Sequence, residues 1–150
     1  MTERGRASAK RILLVEDSPG ECELIAHALA EQGFGDWLQV EQSIESAWAL
    51  LRERGTALPH LVLLDLKLRN SNGLLLLRRL RDDARLCALP VVILTSSDDP
   101  HDIAASYATG ANGYVVKPGT FSELLTLTGD LCRFWLQWNR LPVQEPTPAC

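Results

Sequence analysis

Short, continuously apolar runs punctuate the chain at Ile12 to Val15, Leu61 to Leu64 and Val91 to Leu94, with a shorter one at Tyr114 to Val116. Runs of this length without a polar position are the pattern of strands buried on both faces of a parallel sheet. Trp37 to Glu41 alternates apolar and polar residues instead, which predicts an edge strand. The intervening segments carry apolar residues at helical spacing. Ser18-Pro19-Gly20-Glu21 has the form of a capping box with proline in the first turn; Cys22, Ile25, Ala26 and Leu29 follow, and Gly33 ends the helix. Ser43 predicts the cap of a second helix carrying Ala47, Leu50 and Leu51. A third begins near Gly73 with Leu74, Leu77 and Leu80. Asp99-Pro100 opens a fourth, with Asp102 in its first turn and Gly110 as its stop, and a fifth runs from about Thr120 to Asn139. Strand and helix alternating in this way predict an α/β fold with one parallel sheet and helices on both faces.

Composition narrows the field. A chain of 150 residues that is 46% hydrophobic and 23% charged can bury one core and leaves no room for a second domain of that size. Residues 1–10 read as a flexible leader, 11–139 as the domain, and 140–150 as a tail. The net charge of −4 counts against a nucleic-acid partner. The basic clusters, Arg4, Arg6, Lys10 and Arg11 and then Arg78, Arg79 and Arg81, read as solvated. No apolar run reaches the roughly 20 residues of a membrane span, and no hydrophobic signal region opens the chain. The cysteines Cys22, Cys87, Cys132 and Cys150 form no CxxC pair, which fits a reduced cytoplasm. Cys22 and Cys132 read as core residues and Cys150 as a free thiol.

The candidate chemistry lies where the apolar runs end. The first hands over to Glu16 and Asp17, the second to Asp65, the third to Thr95 and Ser96, and the last to Lys117. In open α/β sheets ligands bind beyond these carboxyl ends. Three carboxylates brought together either raise a pKa or recruit a cation, and oxygen donors suit a hard ion such as Mg²⁺. A carboxylate can also serve as a nucleophile and form an acyl phosphate. The transferred phosphoryl group then needs its charge neutralised, which a cation and Lys117 can supply, with Thr95 as a hydroxyl donor.

ILLVEDSPG (12–20), LVLLDLKL (61–68), VVILTSS (91–97) and GANGYVVKP (110–118) carry this constellation, with 30 positions from Asp65 to Thr95 and 52 to Lys117. In these stretches the chain resembles the receiver domains of two-component response regulators over about residues 11–132. The resemblance implies a flavodoxin-like, doubly wound (βα)5 fold with a five-stranded parallel sheet of order 2-1-3-4-5. It implies Asp65 as phosphoacceptor for a histidine kinase and Lys117 as the phosphoryl contact. Thr95 and Tyr114 become a coupled switch. Mg²⁺ would be held by Asp17, Asp65 and the main-chain carbonyl of Lys67, with Glu16 acting through metal-bound water. A cis Lys117–Pro118 bond is also implied. The chain departs from the family pattern at Arg69, where proline is usual, and at Lys67, which is often Asn or another polar residue. Lys67 and Ser97 are expected to tune dephosphorylation. No turnover of an external substrate is expected, beyond Mg-dependent self-phosphorylation and dephosphorylation.

The last helix is longer and more apolar than such a domain requires. Leu127, Leu131, Phe134 and Trp138 recur at helical spacing and Leu124 and Trp135 widen the stripe; its first half suits the core, and the aromatics beyond predict an exposed surface and a homodimer built on this helix and the 139–145 tail. A lone domain with a Phe-Trp-rich end and a Leu-Pro tail resembles the regulators that serve bacterial phytochrome kinases. The same site also suits a relay to a histidine phosphotransfer protein. A flavodoxin-like small-molecule binder fits less well, because Glu16-Asp17 stands where a phosphate-cradling loop would be. An Asp-nucleophile phosphatase lacks its second acid, since Lys67 stands two residues after Asp65.

Overall fold

The computed structural model describes residues 11–53 and 57–142. The leader, Cys150 and all but the first residues of the tail lie outside them. The main sheet is built from β1 (Ile12–Val15), β2 (Leu38–Glu41), β3 (Leu61–Leu64), β6 (Val91–Thr95) and β7 (Gly113–Val116), all parallel, in the order β2-β1-β3-β6-β7. Counting only these strands, the order is the expected 2-1-3-4-5. Two short antiparallel strands, β4 (Lys67–Leu68) and β5 (Ser71–Asn72), form a separate hairpin directly after β3. The helices are α1 (Pro19–Glu31), α2 (Ile44–Arg52), α3 (Leu74–Arg81), α4 (Pro100–Thr109) and α5 (Phe121–Cys132).

Successive strand side chains face opposite ways, so each apolar run feeds two cores. Leu13, Val15, Val62, Leu64, Val91 and Ile93 pack with residues of α2 and α3. Ile12, Leu14, Leu61, Leu63, Val92 and Leu94 pack with α1 and α5. That double burial is why β1, β3 and β6 have no polar position. β2 lies at the edge, as expected, but all four of its residues are half-buried rather than alternately buried and exposed.

The structure corrects several expectations. Ser18 caps α1 by accepting from the Glu21 N–H at 3.3 Å, but the capping box is not closed. The Ser18 N–H donates to the Glu16 carboxylate instead, and the Glu21 side chain turns to Lys117. The fifth helix is α-helical only to Cys132 and continues as a wider π turn over Arg133–Trp138, closed by the Asn139 N–H on the Phe134 carbonyl at 2.7 Å. Its buried residues are Leu124, Thr128, Gly129 and Cys132, and Leu127 and Leu131 pack half-buried against the same core. Thr128 is tolerated there because its hydroxyl donates to the Leu124 and Leu125 carbonyls. The π turn shifts the phase, so Trp135 and Leu136 both reach the core while Phe134 (50% exposed) and Trp138 (75%) face out. Cys22 and Cys132 are buried as expected, and burial pushes the Cys132 thiol up to about 12. No cis peptide occurs among the described residues. The Lys117–Pro118 bond therefore takes the intrinsically favoured trans form, contrary to the expectation.

Arg81 also departs from the solvated reading. Its guanidinium donates to the carbonyls of Gly110 (2.9 Å), Cys87 (3.1 Å) and Leu89 (2.8 Å) and to Oδ1 of Asn112 (2.9 Å), joining the end of α3 to the turns on either side of β6. Hydrogen bonds from a charged donor contribute more than neutral ones, and acceptors left unpaired by its removal carry a desolvation penalty. Arg81→Ala should therefore lower stability by about 2–4 kcal/mol. Urea unfolding would measure it, with Arg79→Ala as the exposed control expected within about 0.5 kcal/mol of the parent.

Candidate functional site

Strand register brings the site together. Val15 pairs with Leu64, so Glu16 and Asp65 emerge side by side, and the Asp65 N–H donates to the Val15 carbonyl at 3.1 Å. Thr95 pairs with Val116, so Lys117 leaves the sheet one residue later, its N–H on the Thr95 carbonyl at 2.7 Å. Continuing the alternation places Glu16, Asp65 and Lys117 on the α1/α5 face and Thr95 and Tyr114 on the other.

The Lys117 ammonium lies 2.7 Å from Oε1 of Glu16, 3.2 Å from Oδ2 of Asp65 and 3.2 Å from Oε1 of Glu21. Glu16 and Asp65 are buried, and the Lys117 side chain is only 12% exposed. Burial pulls the Lys117 pKa down, but the Glu16 hydrogen bond and the charges of Asp65, Glu16 and Glu21 outweigh it, so Lys117 is held protonated well above the ordinary lysine range. The Glu16 pKa is raised as well, which for a carboxyl disfavours the charged form. Burial pushes its pKa up, the Lys117 hydrogen bond opposes that, and the neighbouring Asp65 charge adds to the rise. One ammonium is thus shared by two carboxylates that crowd each other and offsets part of their combined charge.

Asp17, half-buried, accepts the Arg69 N–H on Oδ2, and Oδ1 of Asp65 accepts the Lys67 N–H at 3.3 Å. The Lys67 ammonium is drawn to Asp102, 3.7 Å from Oδ2, and the Ser97 hydroxyl donates to that same oxygen at 2.5 Å. The Ser97 hydrogen bond, with the Lys67 charge behind it, holds the Asp102 carboxyl below its usual range. The Tyr114 hydroxyl donates to the Ser97 carbonyl at 2.8 Å, and its ring packs against the α2/α3 core. Thr95 is fully buried, and its Oγ1 has no hydrogen-bond partner among the described residues. A buried hydroxyl without a partner is costly unless a ligand oxygen completes it.

Among the described residues no three His, Cys, Asp or Glu side chains stand grouped as a metal cage. Both Glu16 oxygens are already engaged, by Lys117 and the Ser18 N–H. Asp17, Asp65 and main-chain carbonyls leave a purely oxygen donor set. That set fits a hard divalent cation that keeps several waters and takes one or two carboxylates plus a phosphoryl oxygen.

The sequence reading missed three contributors. Glu21 was assigned to a capping box, the commoner role of that pattern. Asp102 was assigned to the dipole of α4. Gly73 reads in the sequence as a helix start, yet a Cβ there would collide with the Asp65 carbonyl oxygen, so only glycine lets α3 pack under the acidic site.

A doubly wound sheet with two buried acids, a lysine shared between them and a partnerless threonine at its carboxyl edge defines a phosphoacceptor-type signalling domain. Residues 12–128 match the response regulator receiver domain family, and the chain belongs to it. It is 36% identical over 134 residues to the probable methanogenesis regulatory protein FilR2 of Methanothrix harundinacea, covering 87% of this chain and 86% of that one. It is 32% identical over 137 residues to response regulator Rcp1 of Synechocystis sp., covering 89% and 93%. The Mn²⁺-bound structure of Rcp1 superposes with a TM-score of 0.78, over 89% of this chain and 99% of that one. The phosphorylated cyanobacterial phytochrome response regulator RcpA, 33% identical, does so with 0.81 over the same shares. A receiver is a signalling domain rather than an enzyme acting on an external substrate, and the bound relative supports a divalent cation. No helix among the described residues is long and apolar enough to cross a membrane.

Proposed function

We propose that Asp65 accepts a phosphoryl group from a histidine kinase, of the bacterial phytochrome type, in the cytoplasm, with Mg²⁺ as cofactor. The observation that carries this is the Lys117 ammonium, shared between Glu16 and Asp65 on one face of the sheet edge, with the partnerless Thr95 hydroxyl on the neighbouring strand. An Asp65 oxygen forms the new bond to phosphorus as the bond to the donor's imidazole nitrogen breaks, and that nitrogen keeps the electron pair. Lys117 and Thr95 receive the phosphoryl oxygens. Movement of Thr95 onto the phosphoryl group, coupled to the Tyr114–Ser97 contact, is the switch. The cation, held by Asp17, Asp65 and the Lys67 carbonyl, with Glu16 behind, supplies neutralising charge when bound. In a strand the N–H and C=O of one residue share an edge, which favours the Lys67 carbonyl because its N–H already faces Asp65. The groove beside Lys117, lined by Glu21, Leu24, Ile25, Ser96 and Phe121, leaves an approach for a donor. Intact mass after incubation with Mg²⁺ and acetyl phosphate tests the chemistry, wild type against Asp65→Asn.

The second half of the proposal is a homodimer through the end of the last helix, with Leu127, Leu131, Phe134, Trp135 and Trp138 as its residues and no nucleic acid or membrane involved. Phe134 and Trp138 are exposed, Leu127 and Leu131 are half-buried, and the Phe134 ring stands edge-on to Trp135. Combined Phe134→Glu and Trp138→Glu should give a monomer mass in light scattering where wild type gives a dimer. A wild-type monomer, or a double variant that stays dimeric, refutes it.

A further inference from the structure

A lysine ammonium has three N–H donors. Around Lys117 three carboxylate oxygens stand within reach of them: Oε1 of Glu16 at 2.7 Å, Oδ2 of Asp65 at 3.2 Å and Oε1 of Glu21 at 3.2 Å. The three acids are held unequally. Glu16 is buried, with its other oxygen on the Ser18 N–H. Asp65 is buried too, and its other oxygen accepts the Lys67 N–H. Glu21 reaches in from the first turn of α1, and its side chain is 41% exposed. Among the described residues no other hydrogen bond or ion pair holds its carboxylate. It also lines the groove beside Lys117, together with Leu24, Ser96, Pro118 and Phe121.

A phosphoryl group on Asp65 brings oxygens that need a donor from Lys117, and all three already face a carboxylate. Asp65 is the group being modified and Glu16 is fixed from both sides. Glu21 is therefore the partner that gives way. We propose that Glu21 is an internal competitor for the phosphoryl group: its carboxylate holds the Lys117 donor that a phosphoryl oxygen must take, and so disfavours small anionic phosphodonors. The inference rests on the reading of Asp65 as phosphoacceptor. At about pH 7 a phosphoryl group carries close to two negative charges. A small donor must bring them past Glu21 with no other contact to offset the repulsion, whereas a protein donor that fills the groove gains contacts of its own.

The rate of phosphorylation by acetyl phosphate at saturating Mg²⁺, followed by intact mass, should be compared for wild type, Glu21→Gln, Glu21→Ala and Glu23→Gln, with thermal melts to confirm folding. In that transfer an Asp65 oxygen bonds to phosphorus as the phosphorus–oxygen bond to acetate breaks, and acetate leaves with the electron pair. Both Glu21 variants should react about two- to fivefold faster, the scale of a half-exposed charge contact. Glu23 is exposed on the same helix, and Glu23→Gln, which removes the same charge away from Lys117, should react as wild type. Binding of trifluoroberyllate, a non-covalent phosphoryl mimic, followed by fluorine NMR, reads the same competition at equilibrium. Its affinity should rise by a similar factor in both Glu21 variants. Glu21 variants that react or bind no better than wild type overturn the inference, because Glu21 then serves to hold Lys117 in place. An equal gain in Glu23→Gln also overturns it, because net charge is then the cause. If wild type takes up neither the phosphoryl group nor the mimic, the reading of Asp65 falls and takes this inference with it. If wild type takes up both and the Glu21 variants gain nothing, only the competitor falls.

Discussion

Asp65→Asn should take up no phosphoryl group under conditions where wild type gains one per chain, as read from intact mass after incubation with Mg²⁺ and acetyl phosphate. The effect is all or none because an amide oxygen is a poor nucleophile and no neighbouring acid is placed to substitute. Glu16 has one oxygen on the Lys117 ammonium and the other on the Ser18 N–H. Asp17 is clamped from the hairpin side by Arg69. Asp65 shares with Glu16 both burial and contact with the ammonium that would meet the phosphoryl oxygens, but it is held less tightly, at 3.2 Å from the ammonium and 3.3 Å from the Lys67 N–H against 2.7 Å from the ammonium for Glu16. Fragmentation of the labelled protein adds a sharper check: a phosphoryl group found on Glu16 or Asp17, or retained in Asp65→Asn, would remove Asp65 from its assigned role.

Lys117→Met should lose phosphorylation and, at neutral pH, also lose about 3–5 kcal/mol of stability, the usual result of removing one partner from a buried charge pair. The pH dependence separates this from lost packing. In wild type the Lys117 pKa is raised, so its contribution is fully present below the ordinary lysine value and is lost as pH rises through the folded value. At pH 7 wild type therefore has all of it. Without the ammonium, Glu16 and Asp65 face each other unscreened. Glu16, already pushed up by burial and by the Asp65 charge, rises further. A folded state that holds protons more tightly than the unfolded state loses stability as pH climbs from the ordinary carboxylate range through the folded pKa. The deficit of Lys117→Met against wild type should accordingly be small near about pH 4 and fully developed by about pH 7. Urea unfolding across that range measures it. A deficit that does not change with pH would mean that Lys117 stabilises through its aliphatic stem.

Much of this was legible in the chain, for reasons that differ from element to element. The strands of the sheet centre announced themselves because burial on both faces excludes polar residues, and the same pattern fixed their ends. Once Val15, Leu64, Thr95 and Val116 end strands of one parallel sheet, Glu16, Asp65 and Lys117 must gather at its carboxyl edge. The helix starts at Ser18, Ser43, Asp99 and Thr120 were readable because side-chain capping is local, and each of these side chains accepts a backbone N–H in its own first turn. The end of the last helix was not. A π turn over Arg133–Trp138 depends on which residues the core accepts, so periodicity carried forward at 3.6 residues per turn places Trp135 with the exposed Trp138, whereas the structure packs Trp135 and Leu136 against the core.

Local pattern therefore determined the class of fold and the edge of the sheet at which Glu16, Asp65, Thr95 and Lys117 gather. Tertiary structure decided who pairs with whom. Glu21 could have closed a capping box three residues from Ser18, yet it meets an ammonium 96 positions away. Lys67 could have leaned toward Asp65, yet it is drawn to Asp102 on a different helix. Arg81 sits in a run of exposed arginines, yet it is committed to four acceptors contributed by separate turns. A backbone hydrogen bond within a helix or cap is decided by neighbours a few residues apart. A long charged side chain has many partners within reach, and only the packed arrangement of distant segments sets which one it can desolvate with.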